Sequence, residues 1–346
     1  MDQTEALIIE TIDRHREEIL EFARDIYSHA ELGYKEFQTS GKFVKKMEQL
    51  GLRTEKGFAI TGVKAYLNED KKENASLALL GELDALRIPE HAFANPETNA
   101  AHCCGHHAQM AGVFGAALAL TVPEIAEKLD GQVVFFATPA EEYGEIEFKN
   151  QLREQGKIRY GGGKCELLRI GAFDDIDLCL THHIRPGNEI LVGSGTGNGF
   201  VSKVIRVLGK ASHAAGAPEK GVNALSAASL GLQALGLNRE TFRDEDCVRV
   251  HPIITKGGNL VNVIPDEVVV ETLVRGKTIE AFTDAAKKTD RSFKAGAIAM
   301  GAKVEISTLP GYLPTLAEEA LPELKHAAEI SASGIPVIEA SGHAGG

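Results

Sequence analysis

The 346-residue chain has no apolar run approaching the roughly 20 residues that span a bilayer. Its start, Met-Asp-Gln-Thr-Glu, lacks the basic and apolar regions of a secretory signal, so retention in the cytoplasm is the expectation. Cysteines are few: five, an odd number, with two of them adjacent. That suits a reducing compartment better than a disulfide framework, and no CxxC pair stands elsewhere to build a closed four-cysteine zinc site. Basic residues are outnumbered, 37 against 49 acidic, for a net charge of -12; this argues against nucleic acid or an anionic membrane as partner. Phosphate cradles are missing too, because the glycine run in 159–171 fits neither GxxxxGK(S/T) nor GxGxxG and reads as a loop.

What is present is a dense set of metal ligands. His102, Cys103, Cys104, His106 and His107 fall within six positions. Taken singly, a buried Cys is a small hydrophobe and a buried His a satisfied core residue. Together they offer imidazoles for borderline metals and a thiolate that can bridge two cations. Cys104 and His106 can face one site only if the chain turns sharply at Gly105. A second cluster ends the apolar run Val133–Thr138 as Pro139-Ala140-Glu141-Glu142, where one carboxylate can bind metal and its neighbour serve as general base. A third run, Asp177 to Thr181, delivers His182 and His183. A fourth, Leu77 to Leu80, leads to Glu82 and Asp84. Strand ends carrying polar side chains mark the carboxyl edge of an open α/β sheet. The four segments are the parts of a dinuclear metallohydrolase.

Apolar periodicity predicts one long amphipathic helix over 4–27 and another beginning after Thr39 and Ser40 and ending at Gly51. Strands near 60–67, 77–81 and 132–137 alternate with helices such as 107–121, which predicts an α/β domain with a mostly parallel sheet and helices on both faces. From about Thr196 the pattern changes. Val201–Leu208 reads as a strand with a wet face, followed by a helix over 223–235 and strands at 248–254 and 268–274. Residues 196–304 are therefore expected to form a smaller inserted α+β domain, with 1–195 and 305–346 making the larger one.

The motifs resemble those of the dinuclear metallo-amidohydrolases that include aminoacylase, hippurate hydrolase, indole-acetyl-amino-acid hydrolase and aminobenzoyl-glutamate hydrolase, within the wider carboxypeptidase G superfamily. The likeness rests on His29-Ala30-Glu31-Leu32-Gly33 with Glu36, Glu82-Leu83-Asp84-Ala85-Leu86, His102-Cys103-Cys104-Gly105-His106-His107, Pro139 to Glu142, and His183 with Pro186. It implies metal ligands at Cys104, His106, Glu142 and His183, with Glu141 as base. It also implies two divalent ions (manganese, zinc, cobalt or nickel) and a metal-activated water that cleaves the amide of an N-acyl amino acid or dipeptide. The insertion would be a lid that forms a homodimer. From it, His213 and Asn262 would stabilise the oxyanion and Arg275 would hold the substrate carboxylate. His107 and Gln109 depart from the family's usual Asp and His. In relatives the larger domain continues beyond the glycine-rich ending and supplies a further metal-binding His, for which His343 lies too early. That break motivates an alternative, a catalytically impaired member that binds acyl amino acids without turnover. A redox switch at Cys103 and Cys104 ranks last.

Overall fold

A computed structural model of the chain describes residues 1–344; Gly345 and Gly346, the last of the glycine-rich ending, lie outside the described residues. By internal contacts the chain divides into two units. The first comprises residues 1–145, 152–188 and 330–334, and the second 146–151, 189–329 and 335–346.

The first unit is built on a five-stranded sheet in the order Arg53–Phe58, Gly62–Leu67, Gln132–Thr138, Ser76–Glu82, Leu178–Thr181. The last three strands are parallel and the first two run antiparallel, so the sheet is mixed. The Arg53–Phe58 strand escaped the sequence reading because it is largely exposed and charged. One face buries Val63, Ala65, Val133, Phe135 and Ala137 against Phe22, Ile26, Phe43, Met47, Met110 and Phe114 from three helices; on the other face, Phe136 meets Phe58 and Phe173. The expected 4–27 helix is two, Gln3–Arg14 and Arg16–Ser28. They break at His15 (φ -96°, ψ 12°), whose imidazole lies 3.1 Å from Glu18. The next helix, Phe37–Gln49, starts earlier than Thr39 and Ser40 suggested. Its cap comes from a distance: the Glu31 carboxylate accepts from the amides of Gln38 and Thr39 and from the Thr39 hydroxyl. The glycine run is likewise not all loop, since Gly163–Arg169 is helical.

The second unit holds an antiparallel sheet ordered Arg249–Val250, Glu267–Gly276, Gly199–Leu208, Lys303–Pro310, with Ile253–Lys256 also paired to Glu267–Gly276. Helices Ala224–Asn238 and Ile279–Ala299 pack on it through Ala227, Ala228, Leu235 and Phe293. The anticipated boundary at 304 is displaced. Lys303–Pro310 pairs along its length with Gly199–Leu208 and so belongs to this sheet. The expected wet face of 201–208 is also corrected: this strand is flanked on both sides, Ser202 and Lys203 are buried, and the Lys203 ammonium is held by Asp290 at 2.7 Å. Among the described residues no helix is long and apolar enough to cross a membrane.

Candidate metal centre

Three parallel strands of the first unit finish on one sheet edge, at Glu82, Thr138 and Thr181. The loops leaving them bring Asp84, Glu141, Glu142 and His183 toward the helix that begins at His106. Gly105, immediately before that helix, sits at φ 94°, and a Cβ there would come within 2.2 Å of Ile184. Glycine alone satisfies both conditions.

The turn lets Cys104 and His106 face one point. Cys104 Sγ lies 3.4 Å from Nε2 of His183, and the His106 and His183 rings meet edge to face at 5.6 Å. One ligand atom each from Cys104, His106 and His183 fall within 4.8 Å of one another, as do atoms from a second trio, Glu82, His106 and Glu141. Nδ1 of His106 is 2.7 Å from the Asp84 carbonyl and Nδ1 of His183 is 2.7 Å from that of Ile184. Donation to those carbonyls fixes each ring to present Nε2 to the centre. Nε2 of His106 and Oε2 of Glu82 are buried 3.0 Å apart; they form an ion pair when the imidazole is protonated, and with a neutral ring whose proton is on Nδ1 neither has a hydrogen-bond partner. Orphaned buried atoms of this kind call for a partner. A thiolate, two imidazoles and carboxylates converging there fit a borderline divalent cation.

The turn that follows Thr138 is held by its amides. Asp84, fully buried, accepts from the amides of Glu141 (3.0 Å) and Glu142 (2.9 Å). Glu141 Oε2 reaches to 3.9 Å from His106 Nε2. Burial, reinforced by the negative Glu82, pushes the Glu141 carboxyl up to about 7, which suits a general base. Glu142 is in neither trio; burial pushes it up as well, while a hydrogen bond with Cys104 works the other way. The His183 imidazole is raised to about 9, chiefly by its hydrogen bond to Cys104.

Two participants had no role assigned from sequence. Glu82 pairs with His106 and with Lys164, and although burial opposes it these partners pull its carboxyl down to about 2. Lys164 comes from the helix read as loop. That helix packs closely because Gly163 lies against Pro139, where a Cβ would stand 1.7 Å from the Pro139 carbonyl oxygen. The departures from the family pattern have places of their own. Gln109, buried, accepts from the Glu82 amide (2.8 Å) and donates to Thr181 Oγ1 (3.0 Å) and the His182 carbonyl (2.7 Å), tying two strand ends together. His107 packs against Tyr27 and His102, at 4.9 and 5.4 Å between ring centroids.

Residues 197–298 match a family described as the peptidase dimerisation domain of the M20 peptidases. The chain is 29% identical over 306 residues to the Xaa-Arg dipeptidase of Mus musculus, which covers 86% of this chain and 64% of that protein. It is 30% identical over 272 residues to the IAA-amino acid hydrolase ILR1-like 2 of Arabidopsis thaliana, covering 77% of this chain and 56% of that protein. Among solved structures, a dinuclear metal-binding peptidase of the M20 family from Bacillus subtilis superposes with a TM-score of 0.59 at 23% identity, over 96% of this chain and 84% of that one. Residues 197–298 are thus similar to the M20 dimerisation domain, and the chain spans 64% and 56% of the length of the two curated proteins it resembles.

The second unit carries the remaining expected residues. The segment at Ser212–Ala214 pairs with 262–264, Ala214 N donating to the Asn262 carbonyl at 3.0 Å and Ile264 N to that of Ser212 at 3.0 Å. That pairing sets His213 beside Asn262 in the chain fold. Nδ1 of His213 accepts from the amides of Ala215 (3.2 Å) and Gly216 (2.9 Å), so the proton of the neutral ring resides on Nε2. Arg275 stands half-buried on Glu267–Gly276, and burial lowers its pKa; no carboxylate of the described residues pairs with it. His343 belongs to the same unit, its Nδ1 2.9 Å from the Thr196 hydroxyl and its Nε2 3.0 Å from Asn198 Oδ1.

Proposed function

We propose that the chain hydrolyses the amide bond of an N-acyl amino acid or dipeptide in a metal-dependent reaction. The carrying observation is the convergence of Cys104, His106 and His183 within 4.8 Å, with the Glu141 carboxylate 3.9 Å from His106 Nε2. Cys104, His106, Glu142 and His183 would hold divalent cations, manganese, zinc, cobalt or nickel, and the Cys104 thiolate is the group able to bridge two of them. When bound, such a cation supplies Lewis acidity that lowers the pKa of water toward neutrality. Glu141 takes the proton of the attacking water and returns it to the leaving amine. His213, through Nε2–H, and Asn262 donate to the developing oxyanion. Arg275 reads the carboxylate of the amino-acid portion through a bidentate pair; its want of an internal acidic partner supports that role. The named relatives, a dipeptidase and an amino-acid-conjugate hydrolase, support the substrate class. The dimerisation-domain match supports a homodimer formed through the second unit, and five cysteines that form no disulfide with one another support a reducing, cytoplasmic setting.

The test is turnover of a panel of N-acyl amino acids and dipeptides by metal-stripped protein resupplied with manganese, zinc or cobalt, with Glu141→Gln as control. Turnover restored by metal and lost in the control supports the hydrolase. Metal binding without turnover of any substrate favours a binding protein instead.

A further inference from the structure

We infer that Glu36 is a positioning residue for the centre, its carboxylate holding the Pro139–Glu142 turn in the one backbone conformation that aims Glu141 and Glu142 at the cation. The inference rests on the reading of those two side chains given above. Ala140 adopts φ 47°, a left-handed value that a residue with a Cβ takes only under constraint. Three successive amides of this turn are each received by a buried carboxylate. Asp84 takes those of Glu141 and Glu142, and Glu36 Oε1 takes that of Ala140 at 2.7 Å.

The other oxygen of Glu36 is engaged as well, accepting from the Thr61 hydroxyl at 2.6 Å. The carboxylate is thus pinned between a strand-flanking residue and the turn, with no exposure to solvent. A simpler role would be to cap the helix Phe37–Gln49, since Glu36 occupies its N-cap position. Its side chain makes no capping bond, and Glu31 caps instead. Gly33, from the same motif, packs against Ala140 and Asp84, where an added Cβ would stand 3.1 and 3.2 Å away. The N-terminal motif therefore reaches the centre twice, through a missing side chain at 33 and a long one at 36.

Reach, rather than charge, is what this role demands, and two conservative substitutions, one isosteric and one shorter by a methylene, separate the two. Glu36→Gln keeps an oxygen at the same distance; Glu36→Asp keeps the charge and withdraws it by one methylene. Manganese or zinc affinity by calorimetry, kcat and KM would be measured on each variant and corrected for the folded fraction from circular dichroism. Thr61→Val, which frees the second oxygen, serves as a milder variant should Glu36→Asp fail to fold. The expected result is that Glu36→Asp loses about 10–100-fold in metal affinity and kcat, the usual cost of removing a group that orients ligands. KM should hold, Glu36→Gln should stay near the parent, and Thr61→Val should fall between. Parental metal affinity and kcat in Glu36→Asp, or a loss in Glu36→Gln equal to that in Glu36→Asp, overturns the inference. A parent protein that binds no metal overturns instead the reading of the centre on which it rests.

Discussion

The candidate metal centre of the first unit and the His213, Asn262 and Arg275 set proposed for the second are built by opposite means. In the first, although His183 is oriented by its neighbour Ile184, the turn that carries Glu141 and Glu142 is fixed by partners far away in sequence, Glu36 to Ala140 across 104 positions and Asp84 to Glu141 across 57. Those partners are buried, so the arrangement exists before any ligand arrives and costs little reorganisation at the moment of reaction. In the second, His213 is oriented by amides two and three residues on, it is exposed, and Asn262 follows a fully exposed Val261. Locally held, exposed groups are readily repositioned by a substrate. Metal binding should therefore depend on the first region alone, and substrate affinity on the second.

The sharpest way to break this division is Glu141→Gln. It should lower kcat by about 10²–10⁴-fold, the range for losing a general base, while calorimetry shows metal still bound; loss of both together would mean that the base is itself a necessary ligand. Next comes Arg275→Ala. Losing a charged hydrogen bond should cut kcat/KM by roughly 10–100-fold, almost wholly through KM, with metal affinity untouched. A change in metal affinity there would dissolve the comparison. The third effect is on pH. His183, raised to about 9 by Cys104, must lose its proton to ligate. Metal affinity should then climb about tenfold per pH unit between pH 6 and 8, with proton release detectable in buffers of different ionisation enthalpy. A flat profile would show that His183 is not a ligand.

The smallest effect concerns stability without metal. Burial, together with the negative Asp84, raises the Glu36 carboxyl from 4.5 to about 7. A raised pKa means that the folded state prefers the protonated form. The stability contribution is thus present below pH 4.5 and lost as pH rises through 7. Glu36→Gln, which cannot ionise, should gain in melting temperature relative to the parent between pH 5 and 8. An unchanged difference across that range would show that Glu36 is ionised at little cost.

Much of the centre could be read from the chain because strand ends announce themselves. Glu141, Glu142 and His183 follow apolar runs that a period-free hydrophobic pattern exposes, whereas Cys104 and His106 stood out by the density of ligand residues around Gly105. The roles of Glu36, Glu82 and Lys164 were hidden because a carboxylate that receives backbone amides, or an ammonium that neutralises another side chain, has no spacing signature. Its partner is chosen by tertiary packing. The same holds for the cap of Phe37–Gln49, where Thr39 was the obvious local candidate and Glu31 is the actual acceptor. Lys203 escaped for a related reason: a lysine in a strand normally reports solvent, and only the neighbouring strand and Asp290 make it interior.

Ala140 carries one further consequence, for the order of events during synthesis. A peptide spanning Pro139 to Glu142 has no local reason to visit a left-handed alanine, and the carboxylates that hold it there come from residues 36 and 84. The nascent segment accordingly presents two loose glutamates with little preference for any ion. On the proposed reading, aiming them at one cation requires residues 36 and 84 to be in place first, so cation capture would follow the docking of the N-terminal segment and report on it.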